Sequence, residues 1–253
     1  MIGLSLGLWQ NRPSFSPLSL SPALWLDASD AATLFQSNGG AAAAADGDPV
    51  GYWLDKSGNG RHLTQASGTN KPAFKTAIKN GLSAVRFDGV NDSLATATFG
   101  LSTLARWCFV VHKTLAGSLL SLFCHGTTDT NELIGFAVGG AGYYSDIGSG
   151  GGPYADLTAS SPFSAGFYSL GQVWTRPSGS SILTFTKNGV QTTPIIIGPT
   201  LTPNTATQIF QIGRRVSSFF NSDFCELIYG ETTLSAQNVT DVLSYLNTKW
   251  AVY

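Results

Sequence analysis

Apolar and polar residues alternate in this chain over short runs rich in Val, Ile, Phe, Tyr and Trp, at residues 84–88, 107–112, 118–123, 133–138, 167–174, 182–186, 208–212 and 224–229. Gly, Pro, Asn or Asp bounds most of them. A period of two over four to eight residues predicts a β-strand with one face buried, and this number of strands fills a two-sheet sandwich. Between two such runs, Lys187-Asn-Gly-Val190 predicts a tight hairpin, because Asn-Gly accepts the positive φ angles of a type I′ turn. A single stretch has the helical period. Val239, Val242, Leu243, Leu246 and Trp250 fall on one face behind Ser235, a residue suited to cap a helix N-terminus, so a closing helix is expected to pack on the sandwich. The Ala-rich tract 39–45 reads as a loop insertion. Residues 139–166, with glycines at 139, 140, 148 and 150–152 and Pro153, form the longest irregular stretch, and such loops on a rigid scaffold often carry binding.

Composition narrows the class. Of 253 residues 43% are hydrophobic and only 11% charged, with 14 basic against 15 acidic side chains and a net charge of −1. Disorder needs low hydrophobicity and self-repulsion, which this chain lacks. Soluble domains carry about 25% charged residues, so the polar surface here must come from Ser, Thr, Asn, Gln and backbone. A pI near 6.3, with Arg214-Arg215 as the one adjacent arginine pair, supplies no field for phosphates, so nucleic acid is not an expected partner. No run approaches the roughly 18 apolar residues of a spanning helix, so no membrane insertion is expected. The first basic residue is Arg12, and residues 1–9 have no positive region or cleavage site of a secretory signal. Cys108, Cys124 and Cys225 are an odd set in apolar settings and read as buried thiols made in a reducing cytoplasm. Residues 1–20, Pro-punctuated and without amphipathic period, read as an N-terminal docking arm, with residues 21–253 as one domain.

Three blocks together resemble a known family. They are Ala23-Leu-Trp-Leu-Asp-Ala-Ser-Asp30 leading to Val50-Gly-Tyr-Trp-Leu-Asp-Lys-Ser-Gly-Asn-Gly60 and His62; Val85-Arg-Phe-Asp-Gly-Val-Asn-Asp92 with Leu94; and Gln211-Ile-Gly-Arg214, Cys225-Glu-Leu-Ile-Tyr229 and the closing 242–250 segment. In that order they resemble the laminin-G-like members of the concanavalin A-like lectin/glucanase superfamily. The resemblance implies an all-β jelly-roll sandwich of two antiparallel sheets with a short C-terminal helix, and is specific for fold rather than for activity. It also implies a setting, because proteins of this kind occur in phage particles as tail, fibre or capsid-decoration components. The residues of these blocks read mainly as structural. Asp55, Ser57 and the glycines around Asn59 suit a turn that seats Trp53 in the core, while Asp88 and Asp92 suit a turn held through its own backbone.

Catalysis finds little support. Sandwich glycosidases of this superfamily place carboxylates on one strand in an E-x-D-x-(x)-E pattern. The chain has three Glu, at 132, 226 and 231, and Ile228 stands where the pattern needs Asp. Glu226 reads instead as an ion-paired or hydrogen-bonded strand residue. No G-x-S-x-G elbow surrounds a serine, and His62, His112 and His125 read as polar strand-end residues. His112, Cys124 and His125 lack the paired spacing of a zinc site. Calcium is the better ion, with Asp88, Asn91 and Asp92, or Asp46 with Asp48, as weak oxygen ligands. Sugar stacking would fall to loop aromatics: Tyr143, Tyr144 and Tyr154 in the Gly-rich stretch, and Phe219 and Phe220 behind the arginine pair. Subunit contacts use the same residue types. The expectation is a non-catalytic structural and adhesion component of a tailed-phage virion, made in the host cytoplasm and needing no cofactor. It would contact other virion proteins and copies of itself and display a jelly roll to cell-surface glycans. A bacterial cell-surface carbohydrate-binding module is the first alternative, a glycan-cleaving enzyme the second.

Overall fold

Alternation sends neighbouring side chains to opposite faces of a strand, and in the larger sheet both faces are buried. The computed structural model describes residues 15–100, 105–115, 120–121, 123–125, 137–139, 142–144, 166–175, 180–197, 207–215 and 217–253. The chain runs through β1 (Leu24–Asp27), β2 (Leu34–Phe35), β3 (Tyr52–Trp53), β4 (Leu63–Thr64), β5 (Ala73–Lys79), β6 (Leu82–Asp88), β7 (Leu94–Ala95) and β8 (Ala105–Thr114). It continues as β9 (Leu120–Ser121), β10 (Phe123–His125), β11 (Ala137–Gly139), β12 (Gly142–Tyr144), β13 (Gly166–Thr175), β14 (Ser181–Lys187), β15 (Val190–Gln191) and β16 (Ile195–Ile197). Finally come β17 (Phe210–Ile212), β18 (Arg214–Arg215), β19 (Ser218–Phe219), β20 (Asn221–Gly230) and helix α1 (Ala236–Trp250).

The larger sheet has the order β15-β14-β13-β8-β20-β6-β5, with β1 paired to β20 and β16 to β14. The smaller has the order β10-β17-β7-β4-β3-β2, and every pairing within both sheets is antiparallel. Along β8, Cys108 and Val110 point into the core between the sheets, while Trp107, Phe109 and Val111 point into a second core under α1. The layers are therefore helix, larger sheet, smaller sheet. This is the two-sheet sandwich with a closing helix that the sequence pattern predicts, and the jelly roll that the resemblance implies.

Local predictions hold where the pattern was strong. Ser235 caps α1, its Oγ accepting from the Asn238 amide at 3.1 Å, and Val242, Leu243, Leu246 and Trp250 are buried. The Lys187↔Val190 hairpin turns on Asn188 at φ 48° and Gly189 at φ 77°, the left-handed pair of a type I′ turn. The Ala-rich tract is a loop that touches back through an isolated Phe35↔Ala42 bridge. One expectation is corrected. Residues 142–144 are not irregular but pair as β12 with β11, Val138 opposite Tyr143 and Ala137 opposite Tyr144.

Residues 1–14 of the predicted arm lie outside the described residues. Its remainder docks on the chain's own domain: Phe15 packs on Tyr245 of α1 at 5.7 Å between ring centres, and Leu20 is buried beside Trp25 under the helix. Among the described residues no helix is long and apolar enough to cross a membrane.

Candidate functional site

The inward row of the smaller sheet is fully buried: Leu34, Trp53, Leu63, Leu94 and Ile212. Their neighbours along the strands must face the other way. Register aligns those neighbours into one row, Phe35↔Tyr52, Tyr52↔Thr64, Thr64↔Ala95 and Ala95↔Gln211. At the usual strand spacing the row is about 19 Å long. Phe35, Tyr52 and Ala95 are half-buried and Thr64 is exposed, while Gln211 at the far end is buried at 7% exposure, so the open part of this face runs from Phe35 to Ala95.

The row is aromatic at one end and polar along its flank. The Tyr52 ring lies 6.4 Å from Phe35 and edge-on to His62 at 5.5 Å. His62 is fixed from behind, its Nδ1 accepting from the Asp55 amide at 3.0 Å. Beyond Thr64, the Gln65 amide donates to the Ser93 carbonyl at 2.9 Å. Gly51 is required beside Tyr52, because an added Cβ would stand 2.4 Å from the Gln36 carbonyl oxygen and 2.7 Å from Lys71 Cε. That close approach lets Lys71 donate to Gln36 at 2.7 Å and tie the β2 loop to the platform's edge. Phe35, Tyr52, His62, Thr64, Gln65 and Ser93 carry hydroxyl, amide, imidazole and ring surfaces and no formal carboxylate or ammonium. Such a set suits a neutral, hydroxyl-rich ligand better than a phosphate or a peptide of marked charge.

The binding residues predicted from sequence are elsewhere. Tyr143 and Tyr144 lie on β12, in a small three-stranded sheet with β11 and β9, and Tyr154 lies outside the described residues. Phe219 is half-buried on the β18–β19 hairpin with the Arg214 guanidinium 5.5 Å over its ring. Phe220 is corrected: at 3% exposure, 5.8 Å from Phe87, it belongs to the core and offers no face for stacking. The structure thus does not bring Tyr52 and Phe35 together with Phe219. Sequence reasoning missed the sheet row, although Trp53, read there as core, implied that adjacent Tyr52 faces outward.

The weak calcium ligands hold turns. Asp88 Oδ1 accepts from the amides of Val90 and Asn91 at 2.8 and 3.2 Å, and Asp92 Oδ2 accepts from the Asp88 amide at 2.9 Å. Asp48 accepts from Ala44 and Ala45, and Asp46 pairs with Lys75. Among the described residues no three His, Cys, Asp or Glu side chains gather as a metal site.

Glu226 is fully buried. On β20 the register shifts at Cys225, so this bulge turns Glu226 away from the sandwich core and towards α1. There Oε1 accepts from Trp25 Nε1 at 2.9 Å and Tyr245 OH at 2.8 Å, and Oε2 from Lys249 Nζ at 2.8 Å and Trp250 Nε1 at 2.7 Å. Burial and the neighbouring Asp27 charge push its carboxyl up despite these donors. Asp27 suffers the same burial, but Lys249, Ser29 and Lys56 outweigh it and hold that carboxyl below its usual range. Glu231 sits 3.9 Å from Arg61 and accepts from Tyr229 OH. Glu132 lies outside the described residues. Glu226 therefore ties β1 to α1, while Glu231 is paired with Arg61 and Tyr229.

No family model and no curated protein matches the chain. Solved structures do. A GH54 α-L-arabinofuranosidase matches with a TM-score of 0.63 at 13% identity, over 93% of this chain and 66% of that one. The binding domain of botulinum neurotoxin DC in complex with rat synaptotagmin II matches at 0.62 and 8%, over 91% and 52%. Domain 4 of AbnA, a GH43 extracellular arabinanase from Geobacillus stearothermophilus in complex with arabinotriose, matches at 0.51 and 15%, over 75% and 91%. The chain spans half to two-thirds of the length of the arabinofuranosidase and toxin chains. At these identities the likeness defines the class by fold alone, a jelly-roll β-sandwich.

Proposed function

We propose that this chain is a non-catalytic carbohydrate-binding β-sandwich that grips a neutral glycan on the outer face of its smaller sheet. The observation that carries the reading is the uncharged row from Phe35 through Tyr52 to Thr64, in which ring faces can stack on sugar and Thr64, with Gln65 and His62 beside the row, can meet hydroxyls. The arabinotriose complex of a domain with the same fold supports testing arabino-oligosaccharides first. The saturation of Glu226 and the pairing of Glu231 support binding without hydrolysis.

The setting we propose is the virion of a tailed bacteriophage, where the domain would serve as a structural and adhesive component. Its support is the family resemblance, the low charge and the buried free thiols of Cys108 and Cys225. The test is a glycan array probed with the full chain, alongside an assay of reducing-end release. Binding to neutral glycans without release is expected. An array blank for neutral glycans would overturn the binding reading, and release abolished by Glu226→Gln would overturn the non-catalytic one.

A further inference from the structure

The larger sheet changes character along its helix-side face. On β8, Trp107, Phe109 and Val111 lie under α1, and by alternation the next residue on that face is Lys113. Register sets Lys113 in a row across four strands, with Arg86 opposite Asp223, Asp223 opposite Lys113 and Lys113 opposite Phe167. Phe167 is half-buried against the core under α1, so its ring is fixed while part of it stays open. Lys79, from β5 at the edge of the sheet, reaches the same ring. Its Nζ lies 5.1 Å from the ring centre and that of Lys113 lies 5.4 Å away, both within cation–π range.

The carboxylates of this face are already engaged. Asp223 is fully buried and accepts from Arg86 Nε at 2.6 Å and Nη2 at 2.9 Å, one bond to each of its oxygens. Asp46 pairs with Lys75, and Asp88 holds the amides of its own turn. Among the described residues no carboxylate forms an ion pair with Lys79 or Lys113. In a chain of net charge −1, two uncompensated ammonium groups at one ring are a local concentration of positive charge. Like charges held together favour an anion that joins them. The arginine fork that would suit a phosphate is closed by Asp223, which leaves two point charges beside an aromatic ring. That combination suits a sugar carrying a carboxylate, its C–H surface against Phe167 and its charge against the lysines.

We propose that Lys79, Lys113 and Phe167 form a second binding site, for an acidic sugar, on the face of the molecule opposite the neutral row. The choice of a sugar rests on the glycan-binding reading, whereas the site is separate from that row. Electrophoresis of the full chain through gels containing polygalacturonate tests it, at about 0.15 M salt so that long-range attraction is screened. Wild type should be retarded by polygalacturonate and not by polyglutamate, which offers carboxylates without a sugar ring. Lys79→Gln with Lys113→Gln should weaken the retardation at least about tenfold, and each change alone should weaken it by less. Lys79→Arg with Lys113→Arg should preserve it. Lys75→Gln removes the same charge from a lysine already paired with Asp46 and should leave it unchanged. Unretarded wild type, equal retardation by polyglutamate, or an equal loss in Lys75→Gln would overturn the proposal. So would a loss in Tyr52→Ala, which would move acidic sugars to the neutral row. Neutral-glycan binding should survive the lysine changes, which separates failure here from failure of the binding reading.

Discussion

At the scale of the residue, Glu226 explains how a chain with few charges holds its two ends together. Three of its four donors, Tyr245, Lys249 and Trp250, come from α1, and the fourth is Trp25 of β1. Removing one partner of a buried pair strands the other charge, a loss of about 3–5 kcal/mol. Lys249→Met should therefore lower stability by about that amount in urea titrations, and a change below about 1 kcal/mol would mean the pair is worth no more than a surface bridge. Buried histidines set the pH response. Burial lowers His112 to about 3 and His125 to about 4, whereas the unfolded chain protonates both near 6.5. Their contribution is complete above pH 6.5 and is lost as pH falls towards 4 and 3, by up to about 1.4 kcal/mol per pH unit for each. Asp92 opposes this. Burial raises its carboxyl to about 6, so folding takes up a proton there and stability from this group grows as pH falls from 6 towards 3.8. Stability measured from pH 7 to 4 should thus decline, less steeply in His112→Phe and more steeply in Asp92→Asn.

Among the elements, length decided what could be read from sequence. β8, β13 and β20 each run ten residues, long enough for alternation and aromatic content to show, and α1 announced itself by its apolar face and its cap. Ser235→Ala removes that cap and should cost about 1 kcal/mol in thermal or chemical unfolding. The smaller sheet was illegible for a physical reason: β2, β3, β4 and β7 are two residues each and show no period, so their pairing is fixed by turns and by the core they close. The turns themselves were legible. Asp55 accepts from the amides of Trp25, Ser57 and Arg61, tying β1 to the loop behind Trp53, and this is the structural part its Asp-x-Ser-Gly-Asn-Gly context suggested. The bulge at Cys225 was hidden, because a register shift shows only when partner strands are laid beside Phe224–Tyr229.

For the whole molecule, the layers assign separate tasks to separate faces. α1 seals one face of the larger sheet, the smaller sheet seals the other, and the smaller sheet's outer face carries the row of Phe35, Tyr52, Thr64, Ala95 and Gln211. Low charge, first a mark of a turn-rich β domain, suits the proposed platform, since a neutral surface would select by ring stacking and hydroxyl contacts rather than by ion pairs. The sequence puts candidate binding on loop aromatics because loops are where function usually gathers, whereas the proposed row is held by strand register. The account stands or falls on Tyr52. Titration calorimetry of the full chain with arabinotriose, or with the strongest neutral glycan from an array, should give binding for wild type and a loss of at least about tenfold in affinity for Tyr52→Ala, equivalent to about 1.4 kcal/mol, with little change in melting temperature. Undiminished binding by Tyr52→Ala, together with loss in Tyr143→Ala with Tyr144→Ala, would move the site off the sheet and contradict the account.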